Sequence, residues 1–148
     1  MAETLGSLCD KLTIVKLKQF HTSDPDRLTS LEQQKTQLTV EIDQFLEDAL
    51  AGKTPINKLA FAANKIFKAE GNETRNISGN IGEVFSELAR VNCELWHEQE
   101  KVYEFETVPA DQKNNVVKKL AILNLERNKC IDLLNNILIG LCSRSTIE

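Results

Sequence analysis

The amino-acid sequence predicts an all-α protein, a four-helix bundle built from two tandem helical hairpins with a short extra helix between them. Apolar residues recur at alternating steps of three and four, which places them along one face of a helix. Only three prolines and six glycines interrupt the chain, so long elements are expected. No segment alternates apolar and polar residues for long enough to indicate a strand. The 148 residues, 41% of them hydrophobic, suffice for a single domain with a buried core.

The first hairpin is predicted over residues 4–50. Its two helices carry apolar stripes formed by Leu5, Leu8, Leu12 and Val15, and by Leu28, Leu31, Leu38, Ile42 and Phe45. Asp24-Pro25 marks the start of the second helix, because aspartate caps free N–H groups and proline fits the first helical position. Gly52 suits the end of that helix, where a left-handed residue is favoured.

A short extra helix is predicted over residues 55–69, entered through Thr54-Pro55 and ended near Gly71. Its apolar stripe would consist of Ile56, Leu59, Ala63, Ile66 and Phe67, with Lys58, Lys65 and Lys68 opposite. We expect it to cover one end of the bundle as a lid.

The second hairpin is predicted over residues 78–141, with its last helix starting at Pro109. The apolar stripes of its helices are Ile81, Val84, Leu88, Val91 and Leu95, and Leu120, Leu123, Cys130, Leu134, Ile137 and Leu141. An internal repeat relates the two hairpins. A shift of 76 residues aligns Phe20-His21 with Trp96-His97, and a shift of 92 residues aligns the stripes of the second and last helices. Duplicated hairpins are expected to pack about a pseudo-twofold axis.

One cation interrupts each of the long stripes, Lys35 in the second helix and Arg127 in the last. Lys16 and Asn92 are likewise equivalent and lie beside the stripe of the partner helices. A charge at a packed interface needs a partner or a route to water. One interpretation is a polar pocket between the hairpins that holds an anion. The other is that the long side chains extend to solvent at the bundle end or pair with carboxylates, for which the candidates are Asp10, Glu94 and Glu98.

Other residue patterns exclude several kinds of chemistry. Glu94 and His97 form an E-x-x-H pair, but the equivalent segment of the first hairpin has no carboxylate, so no metal is expected. Cys93 lies four residues before His97, but a small core residue is the simpler interpretation. No phosphate-binding loop or nucleophile motif is present, so no cofactor is expected.

Charge and cysteine content predict the kinds of partner and the cellular compartment. The net charge of −4 gives no reason to expect nucleic acid or an anionic membrane as partner. Four widely spaced cysteines and a start without a signal-peptide pattern predict a cytoplasmic protein. Additional apolar residues, Ile14 and Leu17 in the first helix and Ile122, Leu125 and Leu133 in the last, predict a homodimer or coverage by the short helix.

Three segments of the chain resemble a known group of domains. They are Leu8-Cys9-Asp10-Lys11-Leu12-Thr13-Ile14, Val91-Asn92-x-x-Leu95-Trp96-His97-x-x-Glu100 and Leu123-Asn124-x-Glu126-Arg127-Asn128. These resemble the motifs of small helical bacterial and phage domains of unknown function, and cover both hairpins but not residues 48–76. The resemblance implies an all-α fold and no particular activity. It directs attention to Asp10, Lys11, Asn92, Trp96, Arg127 and Asn128.

Two functions are compatible with these features. The first is a non-enzymatic helical module that self-associates and binds a partner protein or a small anionic ligand. The second is an all-α hydrolase or transferase-associated domain acting on a nucleotide or sugar nucleotide. An enzyme should gather several polar residues into one cleft, whereas a scaffold should leave them as separate pairs. The candidate ligand-binding residues are Asp10, Lys11, Lys16, Lys35, Asn92, Trp96, His97, Arg127 and Asn128.

Overall fold

The computed structural model describes residues 2–61 and 73–145, and within them the protein is an all-α bundle. The four α-helices are α1 (Leu5–His21), α2 (Pro25–Leu50), α3 (Ile81–Tyr103) and α4 (Lys113–Ser145). No strand occurs in these ranges, and the predicted fold class is therefore confirmed. No described helix is both long enough and apolar enough to cross a membrane.

The helices alternate in direction along the bundle. Short connections make α1 antiparallel to α2 and α3 antiparallel to α4. Helix α1 is also antiparallel to α4, since Gly6 meets Asn135 near one end and Asp10 meets Arg127 further along. We call the end at which α1 and α3 finish and α2 and α4 begin the upper end. Helices α2 and α4 end, and α1 and α3 begin, at the opposite, lower end.

Helix boundaries follow capping chemistry at most of the predicted positions. The Asp24 side chain accepts a hydrogen bond from the Arg27 N–H, and Pro25 occupies the first helical position of α2. Gly52 has φ +73°, and the Lys53 N–H donates to the Asp48 carbonyl at 2.9 Å, which closes α2 as a Schellman motif. The predicted start at Pro109 is wrong. Its carbonyl accepts from the Gln112 N–H at 2.8 Å in a turn that precedes α4.

The predicted helix over 55–69 is wrong in its described part. Only a single 3₁₀ turn forms, over Ile56–Lys58, and the chain then leaves the helical path. The cause is the side chain of Leu59, which is fully buried in the core at the lower end. Burying a leucine outweighs continuing a short helix. The remaining predicted residues, 62–69, and Gly71 lie outside the described residues.

The core lies mainly between α1, α3 and α4. Helix α1 packs against all three other helices, whereas α2 packs mainly on α1 and contacts α4 less. Helix α2 is consequently the most exposed element of the bundle, and its buried residues are Leu31 and Ala49. The remaining members of its predicted stripe, including Ile42 and Phe45, are half-buried against the core.

Close approach of α1 to α4 depends on a glycine. A Cβ placed on Gly6 would lie 2.4 Å from the Ile131 carbonyl oxygen, a distance that real structures do not tolerate. The Gly6 N–H also donates to the Asn135 side-chain oxygen at 2.8 Å, and Asn135 is itself buried. Gly6 thus allows α1 and α4 to lie close together, and this short distance permits the polar contacts further along α1.

Some positions that the predicted repeat relates are buried to the same degree, and others are not. Leu31 and Leu123 are both buried, as are Val15 and Val91. Lys16 is exposed, however, whereas its equivalent Asn92 is buried. The pseudo-twofold relation between the hairpins stays a prediction.

Candidate functional site

Arg127, the cation in the apolar stripe of the last helix, pairs with a carboxylate of another helix. Arg127 binds the carboxylate of Asp10 through two hydrogen bonds, Nε to Oδ1 at 2.9 Å and Nη2 to Oδ2 at 2.6 Å. This bidentate geometry is the strongest pairing that a guanidinium makes with a carboxylate. The Asp10 side chain is only 5% exposed, while that of Arg127 is 32% exposed. The pair therefore closes the interface between α1 and α4.

Helix α3 contributes to the same network. The Asn92 amide donates to Asp10 Oδ1 at 2.9 Å and to Thr13 Oγ1 at 2.7 Å, and the Thr13 hydroxyl donates to the Asp10 carbonyl at 2.8 Å. Three of the predicted site residues, Asp10, Asn92 and Arg127, thus converge. They satisfy one another in a buried position and do not line the surface cavities described below. The arrangement ties three helices together, as a structural network does.

The other polar candidates do not join this network. Lys11 contacts Glu3, and Lys35 contacts Glu32, one turn earlier on its own helix. Asn128 donates to the Asn124 carbonyl at 2.7 Å, and Lys16 is exposed. Each of these side chains finds a partner locally or reaches solvent, so none of them extends the network of Asp10, Asn92 and Arg127.

A second ionic network lies where the segment before α3 crosses the bundle. Arg75 donates to Glu126 through its backbone N–H at 2.9 Å and through Nη2 at 2.7 Å, and its Nη1 donates to Glu94 at 3.1 Å. Arg90 also contacts Glu94 and Glu87. Glu126 is 1% exposed. Burial opposes its ionisation, but the hydrogen bonds from Arg75 outweigh burial and lower the pKa of Glu126.

Glu98 is a further buried carboxylate, near the upper end. It accepts hydrogen bonds from Lys119 and Lys101, both at 2.9 Å, and is 4% exposed. Burial acts to raise its pKa, and the two ammonium groups outweigh this and lower it. A carboxylate held ionised by two cations is not available as a general acid at neutral pH.

The upper end of the bundle carries both histidines of the chain. The His21 ring stacks on the Trp96 indole with centroids 4.7 Å apart and planes 11° apart. His97 meets His21 edge-on at 6.1 Å, and the Trp96 Nε1–H donates to Glu100 at 2.8 Å. The aromatic-histidine pairs that the repeat singled out are therefore in direct contact across α1 and α3.

A cavity of about 420 Å³ lies beside this stack, between the end of α1 and the start of α2. Its cationic lining consists of Lys18 and Arg27, and its other lining residues are His21, Thr22, Ser30, Leu31, Gln34 and Trp96. No described carboxylate lines it. Neither Lys18 nor Arg27 forms an ion pair with a described residue, unlike Arg75, Arg90 and Arg127. We call this space the cationic cavity.

The thiols do not provide a nucleophile at this site. Burial raises the pKa of Cys9 and of Cys130 to about 11, so both are protonated at neutral pH. Cys93 is exposed, and its prediction as a small core residue is wrong. It lies on the outer face of α3, where an exposed thiol needs no partner in the core.

The E-x-x-H pair is not arranged as a ligand set. Glu94 is engaged by Arg75 and Arg90, and the nearest described carboxylate oxygen to His97 Nδ1 is Glu100 Oε2 at 3.9 Å. In the part of the chain that is described, no three histidine, cysteine, aspartate or glutamate side chains are grouped to hold a metal ion.

Comparisons with known proteins add no further assignment. No protein-family model, no curated protein and no solved structure matches the chain. The resemblance to helical bacterial and phage domains accordingly stays a prediction.

Proposed function

We propose that this protein is a non-enzymatic helical module that binds a small anionic ligand in the cationic cavity and associates with a second copy of itself. The observation that supports binding is that two exposed cations, Lys18 and Arg27, line the same cavity and form no ion pair with a described residue. Elsewhere in the described bundle, Arg75, Arg90 and Arg127 are each matched by a carboxylate. Cations that face a cavity without such a match have their donors available for an anion.

The positions of the polar residues favour binding over catalysis. A hydrolase needs an activated nucleophile or a bound water beside a base, with both open to substrate. Asp10, Asn92 and Arg127 converge, but their hydrogen bonds are directed at one another. The cationic cavity has no carboxylate among its described lining residues, and its one histidine, His21, is stacked on Trp96.

Calorimetric titration with inorganic phosphate at low ionic strength tests the proposal. We expect saturable binding by the full-length chain, and at least tenfold weaker binding by the double variant Lys18→Gln/Arg27→Gln, because charge-assisted hydrogen bonds contribute about 1.5–3 kcal/mol each. Lys16→Gln is the matched control, since Lys16 is exposed on the same helix but outside the cavity. It should change the dissociation constant less than about twofold.

Two results would contradict the proposal. One is the absence of phosphate binding by the unmodified chain at low salt. The other is an equal loss of affinity in the Lys16 and Lys18/Arg27 variants, which would indicate general attraction by surface charge.

A further inference from the structure

The walls of the cationic cavity have two different chemistries. Lys18 and Arg27 supply positive charge, whereas Trp96 and His21 supply aromatic rings. A phosphate ion alone would contact the first wall and leave the second unused. A neutral aromatic molecule would contact the second and leave two cations unmatched. The lining therefore fits a ligand that carries both a negative charge and a planar ring.

The aromatic wall is fixed before any ligand arrives. The Trp96 indole is held on one side by the stacked His21 ring at 4.7 Å and at its N–H by Glu100 at 2.8 Å. A preformed surface loses little side-chain entropy when a ligand ring stacks on it. Stacking of a base on an aromatic side chain accepts any base, because every base has a π-face.

The size and the polar lining of the cavity agree with a molecule larger than phosphate. A volume of about 420 Å³ lies within the range of small-molecule sites. Thr22, Ser30 and Gln34 add hydroxyl and amide groups that can bond to the ring edge or to sugar hydroxyls. These groups line the same cavity as the two cations and the aromatic rings.

We infer that the ligand of the cationic cavity is a mononucleotide, with its phosphate on Lys18 and Arg27 and its base against the Trp96–His21 wall. This inference rests on the proposed function, because it specifies the ligand of the same cavity. The chain's net charge of −4 disfavours a longer nucleic acid, whose many phosphates would be repelled beyond the cavity.

Calorimetry with adenosine monophosphate, inorganic phosphate and adenosine, each titrated into the full-length chain, tests the inference. We expect adenosine monophosphate to bind about tenfold or more tightly than phosphate, as one stacking contact would provide. In Trp96→Leu, adenosine monophosphate should bind no more tightly than phosphate binds to the same variant. Trp96→Phe should retain most of the advantage, because a ring is kept. Thermal melts that match that of the unmodified chain show that both variants are still folded.

The outcomes separate the inference from the proposed function. Phosphate binding with no advantage for adenosine monophosphate would overturn the inference and leave the anion-binding function intact. Adenosine binding as tightly as its monophosphate would overturn it too, because the cations would then contribute nothing. If none of the three ligands binds, both the inference and the proposed function are wrong.

Discussion

Two cations at related positions show how context decides the role of a residue. Arg127 and Lys35 interrupt the apolar stripes of α4 and α2, and their side chains are similarly exposed, 32% and 35%. Arg127 reaches across to a buried carboxylate of α1, whereas Lys35 contacts Glu32 on its own exposed helix. The difference arises because α4 is packed in the core and α2 lies at its edge.

Replacement of Arg127 by methionine should destabilise the protein. It would leave the Asp10 carboxylate buried without its cation, which costs roughly 3 kcal/mol or more. Lys35→Met is the matched control and should change the free energy of unfolding by less than about 1 kcal/mol, because its partner is solvent-exposed. Urea denaturation at pH 7 measures both values.

A further variant separates loss of the pair from loss of packing. Asp10→Asn combined with Arg127→Met removes the stranded charge, and should recover part of the stability lost in Arg127→Met alone. Equal denaturation midpoints for the unmodified protein and Arg127→Met would show that the pair contributes nothing to the fold.

At the scale of elements, residues 73–77, which precede α3, are attached to the bundle by side chains that helical periodicity does not reveal. Ile77 is buried, Lys129 contacts Thr74, and Glu126 accepts both the backbone and the side chain of Arg75. One glutamate of α4 therefore anchors an irregular segment through several hydrogen bonds. We call residues 73–77 the docked segment.

Stability should fall in acid partly through this anchor. The pKa of Glu126 is lowered from its ordinary 4.5, so its contribution is present above pH 4.5 and is lost as the pH falls through the lower folded value. Glu126→Gln should cost about 1–3 kcal/mol at pH 7, as hydrogen bonds to charged groups do. The cost should shrink as the pH falls from 4.5 through the lower folded value, because the carboxylate of the unmodified chain then becomes protonated. Urea denaturation at pH 7 and at a series of acidic pH values measures it.

Glu87→Gln provides the control for this prediction. Glu87 pairs with Arg90 on its own helix and its side chain is 37% exposed, so its loss should cost less than about 1 kcal/mol. Hydrogen exchange should also be faster in the docked segment of Glu126→Gln alone. A cost that stays the same from pH 7 through the whole acidic series would mean that packing, and not charge, explains the effect.

The residue pattern predicts regular elements better than it predicts the contacts between them. Asp24-Pro25 and Gly52 mark the ends of α2 through local chemistry, so they can be identified from the sequence. Glu126 lies three residues after Leu123 and four before Cys130, and this spacing places it in the apolar stripe of α4. Nothing in the spacing identifies Arg75 as its partner. The cationic cavity forms where two helix ends meet, and such a meeting depends on tertiary packing.

At the scale of the whole molecule, the exposed apolar surface is distributed unevenly. Ile14 lines the groove between α1 and α2, so the additional stripe of α1 is partly accounted for within the chain. Helix α4 instead presents an outer row at spacing i, i+4, i+8, formed by Val117, Ala121 and Leu125, with Val117 56% exposed. Ile122 beside this row is half-buried. The α4 row is the better candidate for an interface between two copies.

We predict that the protein forms a homodimer through this α4 row, since two copies of one helix face can pack isologously about a twofold axis. Sedimentation velocity at high micromolar concentration should give a dimer for the unmodified chain and a monomer for Val117→Lys, which places a charge in the interface. Because Val117 is exposed in the single chain, the thermal melt of Val117→Lys at low concentration should be nearly the same as that of the unmodified chain. Val40→Lys is the matched control, because Val40 is a valine on α2 that is 62% exposed. This variant should remain dimeric. A monomeric unmodified chain at that concentration would refute self-association, and a dimer that survives Val117→Lys would place the interface on another face.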